Sequence, residues 1–150
     1  MQIPAAATPI VCDMTDAPDT DVERLAEYRR LFTQPAYLGK ERTTEGIRFR
    51  FRAEPDIEEW VRDLAAREKA CCAFFAFDIT TEGDEVRYDA AVVDNDLARA
   101  ILEEYYALPD NLVGTLDDLR ERLGERGVAF NSDAAGTVHQ VLPVSERIGS

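Results

Sequence analysis

The sequence predicts an α+β fold, an antiparallel sheet of about four strands covered by three or four helices. Three patterns carry that expectation. Ile47-Arg48-Phe49-Arg50-Phe51-Arg52 alternates strictly, which puts three apolar side chains on one face of a strand and three arginines on the other. Ile57, Trp60, Val61, Leu64 and Ala65 recur at helical spacing and make one apolar stripe. Phe74–Thr80 and Val86–Val93 flank a Glu82-Gly83-Asp84 turn, the pattern of a hairpin. At 150 residues the chain reads as one domain, able to bury roughly 68–70 % of its unfolded surface.

The elements follow in order. Residues 1–19, rich in Ala, Pro, Asp and Thr, read as an irregular lead-in with one short apolar piece, Pro9-Ile10-Val11-Cys12. Thr20-Asp21-Val22-Glu23 is a capping box and opens the first helix, with Val22, Leu25, Tyr28 and Phe32 on its apolar side. Pro35 closes it, and residues 36–43 read as a strand turning at Thr44-Glu45-Gly46 into the alternating strand. Glu54-Pro55 starts the second helix, since proline is tolerated in a first turn, and that helix runs to about Cys72. After the second hairpin, Asp94-Asn95 precedes a third helix carrying Leu97, Ala100, Ile101 and Tyr105, broken at Pro109-Asp110-Asn111. Thr115 caps a fourth helix with Leu116, Leu119 and Leu123, ended by Gly124 or Gly127. The domain is thus expected over 20–127, and 128–150, with Val138, Val141, Leu142 and Val144, as a tail or a docking arm. Each hairpin is followed by a helix, a hint of a doubled ββα unit.

Lys and Arg number 17 against 30 Asp and Glu, a net charge of −13, which repels phosphate backbones and disfavours nucleic acid as a partner. Apolar stretches of a few residues fall far short of the ~20 that span a bilayer, and no secretion signal precedes the domain. A reducing cytoplasm with free thiols is the expectation, with a small ion or small molecule as partner. No phosphate-binding glycine loop, zincin or serine-hydrolase motif is present. Arg48, Arg50 and Arg52 could grip an anion, but on an acidic protein they are expected to pair with carboxylates. Asp13, Asp16, Asp19 and Asp21 lack the ligand pattern of a calcium loop and read as a solvated segment.

Chemistry concentrates around Cys71 and Cys72. Extending the stripe of the second helix by one turn puts Glu68 on its apolar side, at i−3 to Cys71 and i−4 to Cys72. A carboxylate there is costly unless paired or protonated. Three readings compete. The cysteines pack as small hydrophobes, with Glu68 neutralised by an arginine, in an interaction or regulatory domain. Alternatively Cys71 and Cys72, with Cys12 as third sulfur and Glu68 as oxygen ligand or proton acceptor, bind a thiophilic metal ion (Zn(II), Cu(I), Hg(II)) or As(III). Adjacent helical residues point about 100° apart, so both reach one ion only where the helix unwinds. Lastly, Cys71 or Cys72 is a catalytic nucleophile with Glu68 as catalytic proton acceptor, against a helix C-terminus that raises thiol pKa values. A bond between Cys71 and Cys72 would be strained. His139, the one histidine, is expected at the surface.

The run Leu64-Ala65-Ala66-Arg67-Glu68-Lys69-Ala70-Cys71-Cys72-Ala73-Phe74-Phe75-Ala76-Phe77 resembles the LAxRExxCCxFFxF signature of a group of small uncharacterised bacterial proteins. In that group an upstream cysteine lies just before a helix patterned like Arg24–Phe32, and the likeness covers about residues 12–107. The resemblance implies that Cys12, Glu68, Cys71 and Cys72 occupy recurring motif positions. It implies a link with heavy-metal-responsive regulators, hence soft-ion binding, and no established activity. The chain departs from the group at Asp13, where a more apolar residue is usual.

Overall fold

A computed structural model describes residues 1–111, 116–134 and 136–143. The elements are β1 (Cys12–Asp13), α1 (Asp21–Thr33), β2 (Tyr37–Arg42), β3 (Ile47–Arg52), α2 (Pro55–Cys71), β4 (Phe75–Glu82), β5 (Glu85–Val92), α3 (Asp96–Ala107), a 3-10 turn (Leu108–Asn111), α4 (Leu116–Glu125), β6 (Val128–Ser132) and β7 (Val138–Pro143). The fold is α+β. Its sheets are two: a four-stranded antiparallel sheet in the order β2-β3-β5-β4, and a three-stranded one in the order β1-β7-β6.

The first sheet follows the sequence patterns. Ile47, Phe49 and Phe51 are fully buried, while on the other face Arg48 pairs with Asp89 and Arg50 with Glu85. Two hydrogen bonds from Arg50 hold the Glu85 carboxyl down at about 2. β3 and β5 meet at the centre, so the two hairpins, each followed by a helix, flank that junction symmetrically.

Helix α1 begins at the Thr20 capping box: the Thr20 hydroxyl accepts from Glu23 N at 3.2 Å and the Glu23 carboxylate from Thr20 N at 2.9 Å. Its buried face is Arg24, Tyr28, Leu31 and Phe32, which leaves Val22 exposed instead of on the stripe. The tertiary demand to bury Arg24 rotates the helix away from the face that hydropathy alone selects. Helix α3, capped by Asn95, is likewise rotated: Ala98, Leu102 and Tyr105 are buried, whereas Leu97 and Ile101 only pack at the margin.

The second sheet corrects the expectation of a single sheet. Cys12 and Asp13, from the expected lead-in, pair with Val141 and Gln140 of the expected arm, and β6 pairs with β7. β6 and β7 therefore dock as a hairpin pair, with Gly127, at φ +94°, making the left-handed step out of α4. Neither end of that sheet has the length or alternation to announce a strand alone. Thr115 and Val144 lie outside the described residues. Helix α4 is tied down by Arg122 and Arg126, which both reach the buried Glu104 carboxylate on α3, and by Arg120, which reaches Asp21.

Gly46 closes the β2–β3 turn against β5. A Cβ at this position falls well inside contact distance of the Ala90 carbonyl oxygen, and β5 is locked between two strands. Gly46→Ala is expected to lower stability by about 1–3 kcal/mol in urea unfolding, the scale of overpacking. An unchanged midpoint would mean that this turn yields freely.

Candidate functional site

Helix α2 stops at Cys72, whose backbone leaves the helix at φ −123°, ψ 80° after its N–H bonds to the Glu68 carbonyl. That turn rotates the Cys72 side chain away from Cys71 and toward β1, with which Cys72 forms an isolated antiparallel bridge at Cys12. The Cys12 and Cys72 sulfurs are bonded, with Cα atoms 4.3 Å apart across 60 residues of chain. This corrects the expectation that all three thiols are free. It also leaves no Cys71–Cys72 bond. Cys72 is 5 % exposed, Cys71 is buried and free, and Cys12 is half-buried.

Beside the sulfurs lies a buried ionic cluster. Arg24 on α1, only 4 % exposed, donates from Nε and an Nη to both oxygens of Asp19, at 2.6 and 2.7 Å, and from its other Nη to Glu68 at 2.5 Å. Arg67 bridges Asp19 and Glu27, and Glu27 accepts from the Trp60 indole at 2.7 Å. Burial alone would push the Arg24 guanidinium down, but its bonds to Asp19 and the Glu68 charge outweigh that and hold it well above its ordinary value. Its hydrogen bonds hold the Asp19 carboxyl below the ordinary aspartate range. Burial pushes the Cys71 thiol up, and the neighbouring Arg24 charge offsets part of that rise.

Glu68 thus does face inward, one turn before the thiols, and its partner is Arg24. Asp19 and Asp21, expected in a solvated segment, are instead largely buried against Arg24 and Arg120. His139 is surface-lying and paired with Asp133 at 2.8 Å. Among the described residues no group of three or more His, Cys, Asp or Glu side chains is arranged to hold a metal ion. Of the expected shell, Cys12 and Cys72 are joined to each other and Glu68 is bound to Arg24, whose charge also lies beside Cys71. Arg24 and Asp19 were the residues missed. The available signal was Arg24 on the same helical face as Tyr28, Leu31 and Phe32, an inward cation to match the inward Glu68.

No protein-family model matches the chain, and no similarity emerges to curated proteins or to solved structures. Among the described residues no helix is long and apolar enough to cross a membrane.

Two outcomes test this cluster. Arg24→Met leaves Glu68 without its cation and Asp19 with Arg67 alone, and is expected to cost about 3–5 kcal/mol at neutral pH. Because Asp19 has a lowered value in the fold, its contribution is present above about pH 3.9 and is lost as pH falls through that lowered value. The loss caused by Arg24→Met should therefore shrink in acid, and a loss that is constant with pH would contradict the pairing. Reduction of Cys12–Cys72 should lower the unfolding free energy by about 4 kcal/mol, the chain-entropy value for a loop of this length. Urea titrations with and without a phosphine reductant measure it; identical midpoints would show that the bond does not constrain the unfolded chain.

Proposed function

We propose that Cys12 and Cys72 form a redox-responsive thiol pair which, once reduced, captures a two-coordinate soft cation, Hg(II) or Cu(I), as its cargo. One observation carries the reading: two cysteines 60 residues apart meet at bonding distance on an isolated bridge, Cys12 half-buried and Cys72 buried. Reduction by a small dithiol delivers two electrons and two protons and yields two thiols. Capture of Hg(II) then forms two S–Hg bonds and releases both protons, so affinity falls in acid. The same holds for Cu(I), which leaves an anionic bis-thiolate.

The choice of ion follows from ligand number. Zinc takes four ligands in a structural site, and the described residues offer no such set. A pair of thiolates suits the softest ions. The resemblance of the Cys71-Cys72 segment to proteins linked with heavy-metal-responsive regulators supports the same direction. The reading includes a reducing cytoplasm, where disulfides are transient. Catalysis by a Cys71 thiolate with Glu68 as base draws no support, since burial pushes that thiol up and Glu68 is engaged by Arg24.

The reduced protein titrated with mercuric chloride, followed by sulfur-to-metal charge-transfer absorbance under competition from a small thiol, is expected to bind one equivalent. Cys71→Ser should bind like the parent, while Cys12→Ser and Cys72→Ser should each weaken binding by more than about 100-fold, half the ligands being gone. Equal binding by all four proteins, or a loss confined to Cys71→Ser, would overturn the reading.

A further inference from the structure

Between α1, α4 and the small sheet lies a cavity of about 170 Å³. Leu25 from α1, Leu119 and Leu123 from α4, Phe130 from β6, and Val138 and Val141 from β7 give it an apolar wall. An unfilled apolar space is unfavourable, because the atoms that line it lack contacts on one side and the loss grows with volume. An occupant of matching shape recovers those contacts.

Three polar sets also border the space, and each is closed on itself. The Tyr28 and Tyr105 hydroxyls are hydrogen-bonded to each other and both to Tyr88. Arg24 is bound through Nε and both Nη atoms to Asp19 and Glu68. Arg120 donates to Asp21 at 2.5 Å. The other Asp21 oxygen accepts no hydrogen bond, but it is fully buried and so is shut off from the cavity as it is from solvent. Of the charged residues in the lining, Asp21 and Glu68 balance Arg24 and Arg120.

The space therefore offers an entering molecule neither a net charge nor an open hydrogen-bonding group. A charged ligand would give up its hydration with no counter-ion in return, and a hydroxyl would be buried without a partner. Apolar surface alone gains on entry. Volume sets the other limit, since a dry apolar cavity of about 150 Å³ admits benzene or xenon. We infer that this cavity binds a small hydrocarbon-like molecule, one ring or a short branched chain in size, that carries no polar group into it. The site is separate from the thiol pair and stands whether or not a metal binds there.

Titration calorimetry and ligand-observed NMR on the intact oxidised chain compare toluene with phenol, in which a hydroxyl of similar size replaces the methyl, and with benzoate and benzylammonium. Toluene should bind at least about tenfold more tightly than phenol, the lower range for burying an unpaired hydroxyl, and neither ion should bind. Intermolecular NOEs from the toluene methyl to the methyls of Leu123, Val138 and Val141 need no variant and should be present in the parent. Leu123→Trp, which fills the space from α4, should abolish toluene binding; where that variant does not fold, the parent NOEs decide. Absence of toluene binding at about 1 mM, the weak end of small-ligand affinity, would overturn the inference. So would equal affinity for toluene and phenol, binding of either ion, unchanged binding by a folded Leu123→Trp, or NOEs to other methyl groups only.

Discussion

The rest of the molecule depends on one buried cation. Arg24 sits on the inward face of α1 with its guanidinium shared between Asp19, at the end of the lead-in, and Glu68, in the last turns of α2. Taking three charges out of water is costly, and only nearly complete pairing repays it. The pairing therefore dictates geometry. α1 must present Arg24 rather than Val22, the lead-in must fold back so that Asp19 can clamp the guanidinium from the side, and α2 must hold Glu68 inward to its last turns. Each of those requirements also orients a cysteine: Glu68 leads into Cys71 and Cys72, and the segment that ends in Asp19 begins at Cys12. The ion pair and the sulfur bridge thus tie the same two chain segments together.

A second set of pairings holds the roof over the core. Glu104 on α3 is buried and accepts from Arg122 of α4 and from Arg126 just beyond its end, while Asp21 at the start of α1 receives Arg120. This acidic chain uses arginines in the same way at several junctions between elements. That arrangement explains how a net charge of −13 is compatible with a compact fold: the inward carboxylates Asp19, Asp21, Glu68 and Glu104 each reach at least one arginine. It also explains why the three arginines of β3 carry no anion site. Arg48 and Arg50 are consumed by Asp89 and Glu85, and Arg52 lies near Glu54.

What could be read from the sequence was what local periodicity determines. The alternation of β3, the stripe of α2, the capping box at Thr20 and both hairpins around Gly46 and Gly83 are short-range patterns, and each stands where the residues indicate. The inward turn of Glu68 was readable for the same reason, since it follows from helical spacing. What failed was long-range. β1 is two residues long and pairs with a strand some 130 positions away, so no local pattern marks it. The partner of Glu68 required knowing that an arginine on another helix shares the same interior. The meeting of Cys12 with Cys72, rather than of Cys71 with Cys72, hangs on the backbone turn at the helix end, which a regular helical projection does not contain.

The same accounting of partners bears on which ion the thiol pair suits. A hard cation needs several oxygen ligands, and this chain has carboxylates in abundance. Near the sulfurs, however, they are already engaged: Asp13 accepts from Thr15 and Gln140, Asp19 from Arg24 and Arg67, Glu68 from Arg24. Recruiting any of them would strip a partner from a buried or ordered group and forfeit pairing that the fold requires. A sulfur pair released by reduction has no such commitment. Thiolates are also soft ligands that bind mercuric or cuprous ions in linear pairs without help from oxygen. On the proposed reading, discrimination against hard cations would come as much from the engagement of Asp13, Asp19 and Glu68 by other groups as from the thiols' own preference.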